Sequence, residues 1–302
     1  MKFRQNAPFG VLFSIIFFVA FSSTLADYSA SEVNISTPRY EPAVEEFEPK
    51  LGTYRYRVSW QGISAAEAEI QVTRRGDAFQ VTSSARTNSF IDVFYRLRYQ
   101  ASGLIGAKTL EPRLTTINQQ ENSRVKNITI KFLPDGQIRS ERWSRSDEKE
   151  IEEFDPNNYT LDPFSAAFIA RSLSWEVGDT KHFDTYSGRS RYLISLTAED
   201  RIKMDINNQE RNVLVISPRV EKLTDPDAEN KLRKASIFVT DDQQREILEI
   251  QSEVFVGTVR TKLISYSPEE APSGLVDSNG RMAQMNFDEF GKLKTSNPES
   301  PE

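Results

Sequence analysis

From Tyr54 onward the chain alternates. Tyr54, Tyr56, Val58 and Trp60 are large and apolar while Arg55, Arg57 and Ser59 between them are polar, a period of two that predicts a half-buried antiparallel strand. Gln61-Gly62 marks a turn, after which Ala66, Ala68, Ile70 and Val72 point inward and Glu67, Glu69, Gln71 and Thr73 outward. Gly76-Asp77 turns the chain again into Phe79, Val81, Ser83 and Ala85. A short helical turn over Ser89 to Val93 precedes a strand in which Val93, Tyr95, Leu97, Tyr99 and Ala101 oppose Phe94, Arg96, Arg98 and Gln100. Gly103 and Gly106 read as its end. Leu114 to Gln120, Arg124 to Phe132 and Ile138 to Trp143 continue the pattern, the last two joined by the turn Pro134-Asp135-Gly136. The acidic run Asp147 to Glu153 reads as a solvated loop. Lys181 to Tyr186, Ser190 to Ala198, Ile202 to Ile206, Val213 to Ser217, Ala235 to Thr240, Ile247 to Gln251 and Val254 to Tyr266 resume the meander.

One stretch breaks the period. In Leu161 to Arg171, Asp162 is suited to accept from the free N–H groups of a first helical turn, and Pro163 at the first helical position loses no hydrogen bond. Phe164, Ala167, Phe168 and Arg171 fall at i, i+3, i+4 and i+7, with Ala166, Ile169 and Ala170 leaving little of the other face polar. Such a helix is buried. The predicted fold is therefore mostly β: a large, strongly curved antiparallel sheet or partly closed barrel, with one buried helix from the middle of the chain on its concave face.

The ends of the chain change the picture of where it works. Lys2 and Arg4 precede an apolar run, Val11 to Phe21, followed by the small residues of Thr24-Leu25-Ala26. This is the pattern of an export signal, with cleavage expected after Ala26 and a periplasmic destination, and the run is too short for a comfortable membrane span. Residues 27–50 carry Pro38, Pro42 and Pro49 among Glu41, Glu45, Glu46 and Glu48, an extended acidic leader without a sustained period. Residues 51–266 form the single β-rich domain, and residues 267–302, rich in Pro, Ser, Glu, Asn and Gly, read as a disordered tail. The formal charge is −6, and loss of Lys2 and Arg4 with the signal makes it −8. No basic tract remains to neutralise a run of phosphates, so nucleic acid is not an expected partner. No cysteine is present, so the fold uses neither a disulfide nor a cysteine-linked lipid.

Several chemistries lack their parts. His182 is the only histidine, expected at an exposed strand end, and nothing of nucleophile-elbow type precedes a helix. Zinc and haem sites need His or Cys clusters, and the 13 glycines are scattered rather than gathered into a phosphate loop. Asp225-Pro226-Asp227 and Asp241-Asp242 offer oxygen ligands without the spacing of a calcium loop, and read as solvated turns. Two carboxylates acting on a polysaccharide stay open, because their separation is set in space. No metal or cofactor is called for. Arg55, Arg57, Arg96 and Arg98 would form a basic strip if their two strands were neighbours; otherwise they belong to an outer face neutralised by Glu67 and Glu69.

The chain resembles the exported bacterial family known as domain of unknown function 3108. The likeness rests on Tyr54 to Ile63, the helix start Asp162-Pro163-Phe164-Ser165-Ala166, Gly178, Ile237 to Asp242 and Gly257 to Leu263. It implies an exported β-rich domain and no established activity. The expected function is non-enzymatic: a curved sheet that binds a lipid, another amphiphile or a hydrophobic client segment through Tyr54, Tyr56, Trp60, Tyr95, Tyr99, Phe164 and Phe168. The alternatives are a scaffold acting through contacts with another envelope protein and, behind it, the carboxylate enzyme.

Overall fold

The computed structural model describes residues 29–43, 47–144, 149–206, 209–225, 232–254 and 257–269. The segment read as a signal and the tail beyond residue 269 lie outside them. The first half of the fold runs β1 (Gly52–Trp60), β2 (Ile63–Arg75), β3 (Ala78–Thr87), α1 (Ser89–Asp92), β4 (Leu97–Gly106), β5 (Pro112–Glu121), β6 (Arg124–Phe132), β7 (Ile138–Ser144) and β8 (Lys149–Phe154). The second runs β9 (Thr160–Leu161), α2 (Pro163–Ser172), β10 (Thr180–Tyr186), β11 (Arg191–Ile206), β12 (Gln209–Lys222), β13 (Leu232–Thr240), β14 (Ile247–Val254) and β15 (Gly257–Pro268). All fifteen strands belong to one sheet, ordered β8-β7-β6-β5-β4-β3-β2-β1-β15-β14-β13-β12-β11-β10-β9. Its middle is the pairing of the first strand with the last, Val58 opposite Thr261 and Trp60 opposite Val259. Two meanders therefore leave that central pair in opposite directions.

Period-two alternation carries the core. In β1 Tyr54, Tyr56 and Val58 are buried, in β3 Phe79, Val81, Ser83 and Ala85, and in β4 Leu97, Tyr99 and Ala101. These residues share the concave face with α2, whose Phe168 and Ile169 are buried among them. Asp162 caps α2 as its sequence predicts, accepting from Ser165 N at 2.7 Å, and also accepts from the Thr115 hydroxyl. Gly103 does not end β4 but lies inside it. A Cβ there would stand 2.6 Å from Phe164 Cδ2, so this glycine is the seat into which the first turn of the helix fits.

The two ends of the sheet meet without a backbone ladder. Among the described residues β8 pairs only with β7, and β9 only with β10. Side chains close the gap: the Phe154 and Tyr186 rings lie edge to face at 5.1 Å, and Tyr186 donates to Glu152 at 2.8 Å. Ser140 and Arg142 of β7 donate to the Gly188 carbonyl at 2.7 and 2.6 Å. Gly188 has φ +91° and lies where a Cβ would collide with Ile128, so the β10–β11 turn can reach β6 only with glycine there. Behind the seam, the fully buried Arg191 and Asp184 form an ion pair at 2.5 Å. Asp184 also accepts from Thr160 and Asn158, and Arg191 donates to the carbonyls of Ala30 and Val33. Every charge of the pair is thus matched, which is the condition for burying one.

The leader takes part in this closure. Ala30, in a 3-10 turn, is buried and donates to Glu152 at 3.3 Å, the Tyr40 ring lies 5.2 Å from that of Phe183, and Phe47 is buried against Phe168. Two expectations need correction. The acidic run before the helix is not a loop: from Lys149 it forms β8, whose Glu150, Glu152 and Glu153 answer Arg139 and Arg142 of β7. The strand expected from Val93 begins at Leu97, because Asn88 caps a helical turn that exposes Val93 and Phe94.

Candidate functional site

Between α2 and the sheet the core is incomplete. A cavity of about 140 Å³ is lined by Tyr54, Tyr56, Phe164, Ala167, Phe168 and Arg171, together with aliphatic side chains of both meanders. Its walls are almost wholly apolar. Tyr54 and Tyr56 donate to the carbonyls of Lys50 and Ile247 at 2.9 and 3.1 Å, and burial pushes both phenols up, so neither ionises under ordinary conditions. The lining's charge comes from Arg171 and Arg245. Arg171 sits one turn beyond Phe168, over that ring at 5.6 Å and over Phe47 at 5.3 Å, and donates to the carbonyls of Arg245 and Gln244 at 2.8 Å each. Among the described residues no carboxylate contacts its guanidinium, and burial draws it below its ordinary pKa.

Of the seven aromatics singled out by sequence, Tyr54, Tyr56, Phe164 and Phe168 come together here. Tyr95, Tyr99 and Trp60 do not line the cavity. Tyr95 is buried away from it, donating to Glu121 at 2.8 Å, and Tyr99 lies near enough to the Asp162 carboxylate for that charge to raise its phenol further. Trp60 is half-buried at the far end of β1. Sequence reasoning missed the lining residues Ile194, Leu196 and Ile216, whose facing depends on where the second meander curls, and missed Phe47, which packs on Phe168 and under Arg171, because the leader around it has no period.

The outer face carries a second concavity of about 700 Å³ over β1 to β6, open to solvent and lined by Glu67, Glu69, Arg86, Gln100, Asn118 and Gln120 among others. Arg55 and Arg98 border it, but the four arginines do not form one strip. β2 and β3 separate β1 from β4, and Glu67 and Glu69 of β2 stand between the basic rows. Arg55 pairs with Glu69 at 2.9 Å and Arg98 with Asp92 at 2.5 Å, while Arg57 and Arg96 are exposed. Glu67 and Glu69 are the acidic pair of this groove, and each is occupied by an arginine, Arg86 and Arg55.

The remaining candidates have structural partners. His182 is half-buried within β10 rather than exposed at its end, with Nδ1 2.9 Å from the Ser195 hydroxyl and its N–H donated to Tyr40 at 2.9 Å. Asp241 pairs with Arg201 at 2.8 Å, and Asp242 accepts from Thr240, Gln244 and Arg245 as a turn-forming carboxylate does. Among the described residues no three His, Cys, Asp or Glu side chains converge as a metal site would need. Pro226 and Asp227 lie outside the described residues.

A family model described as "Protein of unknown function (DUF3108)" matches residues 55–264. A search of curated proteins finds no match. Among solved structures, the fold resembles a β-barrel-like protein of domain of unknown function DUF1849 from Brucella abortus, with TM-score 0.52 and 8% identity over 74% of this chain and 100% of that one. A hypothetical protein from Chlamydia trachomatis aligns over 82% of this chain and 98% of its own at 11% identity, with a TM-score of 0.31, too low to bear on shape. At such identities the first likeness speaks for the β-barrel-like fold alone.

Proposed function

We propose, for a chain that belongs to the DUF3108 family, a non-enzymatic role in the periplasm: binding the apolar end of a lipid or other amphiphile between α2 and the concave face of the sheet. The observation that carries this reading is the apolar cavity beneath α2, with Arg171 on its wall. At about 140 Å³ it matches the roughly 150 Å³ at which an apolar cavity stays dry and takes up a benzene-sized guest. It is smaller than the roughly 300–1,000 Å³ of sites that enclose a whole small molecule. The guest is therefore the tip of an acyl chain or a ring, with its polar part directed past Arg171, which is suited to an anionic head. The apolar run Val11 to Phe21 behind Lys2 and Arg4 supports the exported part of this reading.

The test is lipid mass spectrometry of the exported protein purified without detergent, together with binding of radiolabelled palmitate. Expected is an enriched anionic amphiphile and saturable palmitate uptake, both lost in Ala167→Phe, which fills the cavity. No enriched species and no uptake would overturn the reading. The second reading, an adaptor for another envelope protein, is favoured by the open outer groove, whose paired charges and amides suit a polar partner surface. Substitutions at Glu67 and Arg86 that abolish cross-linking in the periplasm while leaving palmitate uptake intact would select it.

A further inference from the structure

The apolar surface at the opposite end of β1 and β2 from the cavity has no place in that reading. Phe90, Val93 and Phe94 around α1 are 61%, 76% and 68% exposed, and Ile63 at the start of β2 is 54% exposed. They form one patch, because Asn88 ties α1 to β2: its N–H donates to the Ala65 carbonyl at 3.0 Å and its side-chain amide to the Ser64 carbonyl at 2.6 Å. The tip is built to hold its shape. Asn88 accepts from Ile91 N at 3.0 Å, Ile91 is buried beneath, and Asp92 is gripped from behind by Arg98 in two bonds of 3.0 and 2.5 Å and by the Thr87 hydroxyl at 2.5 Å. Phe90 and Phe94 nonetheless stay mostly exposed, their rings edge to face at 6.1 Å. Rigid support beneath large aromatics left in water is the mark of an interaction surface.

The charge around the patch selects the occupant. Asp92 is taken by Arg98 and Glu67 by Arg86. Arg57, Arg96 and Arg124 are exposed and make no ion pair among the described residues. Arg96 and the β5–β6 turn that carries Arg124 are held together, Arg96 N donating to Asn122 Oδ1 at 2.9 Å and Asn122 N to the Arg96 carbonyl at 2.8 Å. Aromatic residues that enter the acyl boundary, with exposed, unpaired arginines on the same end of the sheet, fit the surface of an anionic bilayer. We infer that the α1 tip docks this protein on an anionic membrane surface through Phe90, Val93 and Phe94, with Arg57, Arg96 and Arg124 facing the headgroups.

The test is co-sedimentation of the exported full chain with vesicles of phosphatidylglycerol and phosphatidylcholine, against phosphatidylcholine alone. Binding is expected to the anionic vesicles only, weakened at about 0.5 M salt where exposed charges are screened. Losing two phenylalanines that would enter the bilayer in Phe90→Asp/Phe94→Asp should weaken it by at least about tenfold, and Arg96→Gln/Arg124→Gln by less. Because these residues lie outside the core, circular dichroism and the melting temperature should be unchanged; Phe94→Ser is the milder variant should the double one misfold. Ala167→Phe, which closes the cavity, should sediment like the natural chain, so failure of the amphiphile reading leaves this one standing. Absence of binding to anionic vesicles, or binding unaffected by either phenylalanine variant, overturns the inference. So does a dimer in light scattering that Phe94→Ser dissolves, which would make the patch a self-association surface.

Discussion

The two helices start alike and end in opposite places. Each is capped by a carboxamide or carboxylate at the first turn, Asn88 on Ile91 N and Asp162 on Ser165 N, and each brings two phenylalanines spaced by four, Phe90 with Phe94 and Phe164 with Phe168. In α2 that pair lies inside the sheet, Phe164 against Gly103 and Phe168 against Phe47 and Phe79. Around α1 it faces water, Phe90 within the helix and Phe94 in the turn that follows it. Local sequence decides that a turn of helix forms and that its aromatics share a side. Whether that side becomes core or contact surface depends on which part of the sheet it meets. α2 crosses the concave face, while α1 lies at the rim, where among the described residues no facing layer covers its aromatics.

Phe168→Ala should cost about 3–5 kcal/mol in chemical denaturation, since it removes buried area and enlarges an existing cavity; a near-neutral midpoint would make α2 a mobile lid instead of core. Gly103→Ala should cost about 1–3 kcal/mol by overpacking Phe164, and Gly103→Ala/Phe164→Ala should recover part of that loss if the contact is the cause.

The caps separate by pH. Burial raises the Asp162 carboxyl, so the folded state holds its proton more tightly than the unfolded chain, whose carboxyl has the ordinary value 3.8. Its contribution is greatest at low pH and falls as pH rises past that value. Asp162→Asn keeps a capping oxygen and removes the titration, so its stability relative to the natural chain should improve between pH 4 and pH 7. A constant difference across that range would show that the bonds from Thr115 and Ser165 offset the desolvation. Asp92 behind α1 is the reverse case: Arg98 lowers it from 3.8 to about 2. The stabilisation it supplies is present above about pH 4 and lost on acidification toward pH 2. In Arg98→Gln that acid limb should flatten, with a loss of about 1 kcal/mol at neutral pH because the pair is partly solvated. Smallest of all, Phe94→Ala should change stability by no more than about 0.5 kcal/mol, a midpoint shift that urea titration beside Phe168→Ala would make plain.

Much of the fold could be read residue by residue. Period two placed Tyr54, Tyr56, Phe79 and Val81 inside correctly because a strand's side chains alternate whatever it pairs with. Gly103 misled, since glycine in a strand reads as a break until the helix that needs its missing side chain is in place. Residues 149–154 misled because their glutamates look solvated alone; they are strand because Arg139 and Arg142 lie opposite. Of the aromatic candidates, Tyr54, Tyr56, Phe164 and Phe168 line the cavity while Tyr95, Tyr99 and Trp60 lie elsewhere, because facing inward does not specify depth along a curved sheet.

The sequence by itself determined the alternating strands, the capped helix between two meanders, the lack of cysteine and the scarcity of histidine, since propensity, period and capping act within a few residues. Tertiary structure decided the rest: that β1 pairs with β15, that Gly188 and the Phe154–Tyr186 contact join the two sheet ends, and that one phenylalanine pair is buried and the other exposed. Those outcomes depend on contacts between residues far apart in the chain, whose meeting is set by the twist accumulated over fifteen strands and is written in no local window.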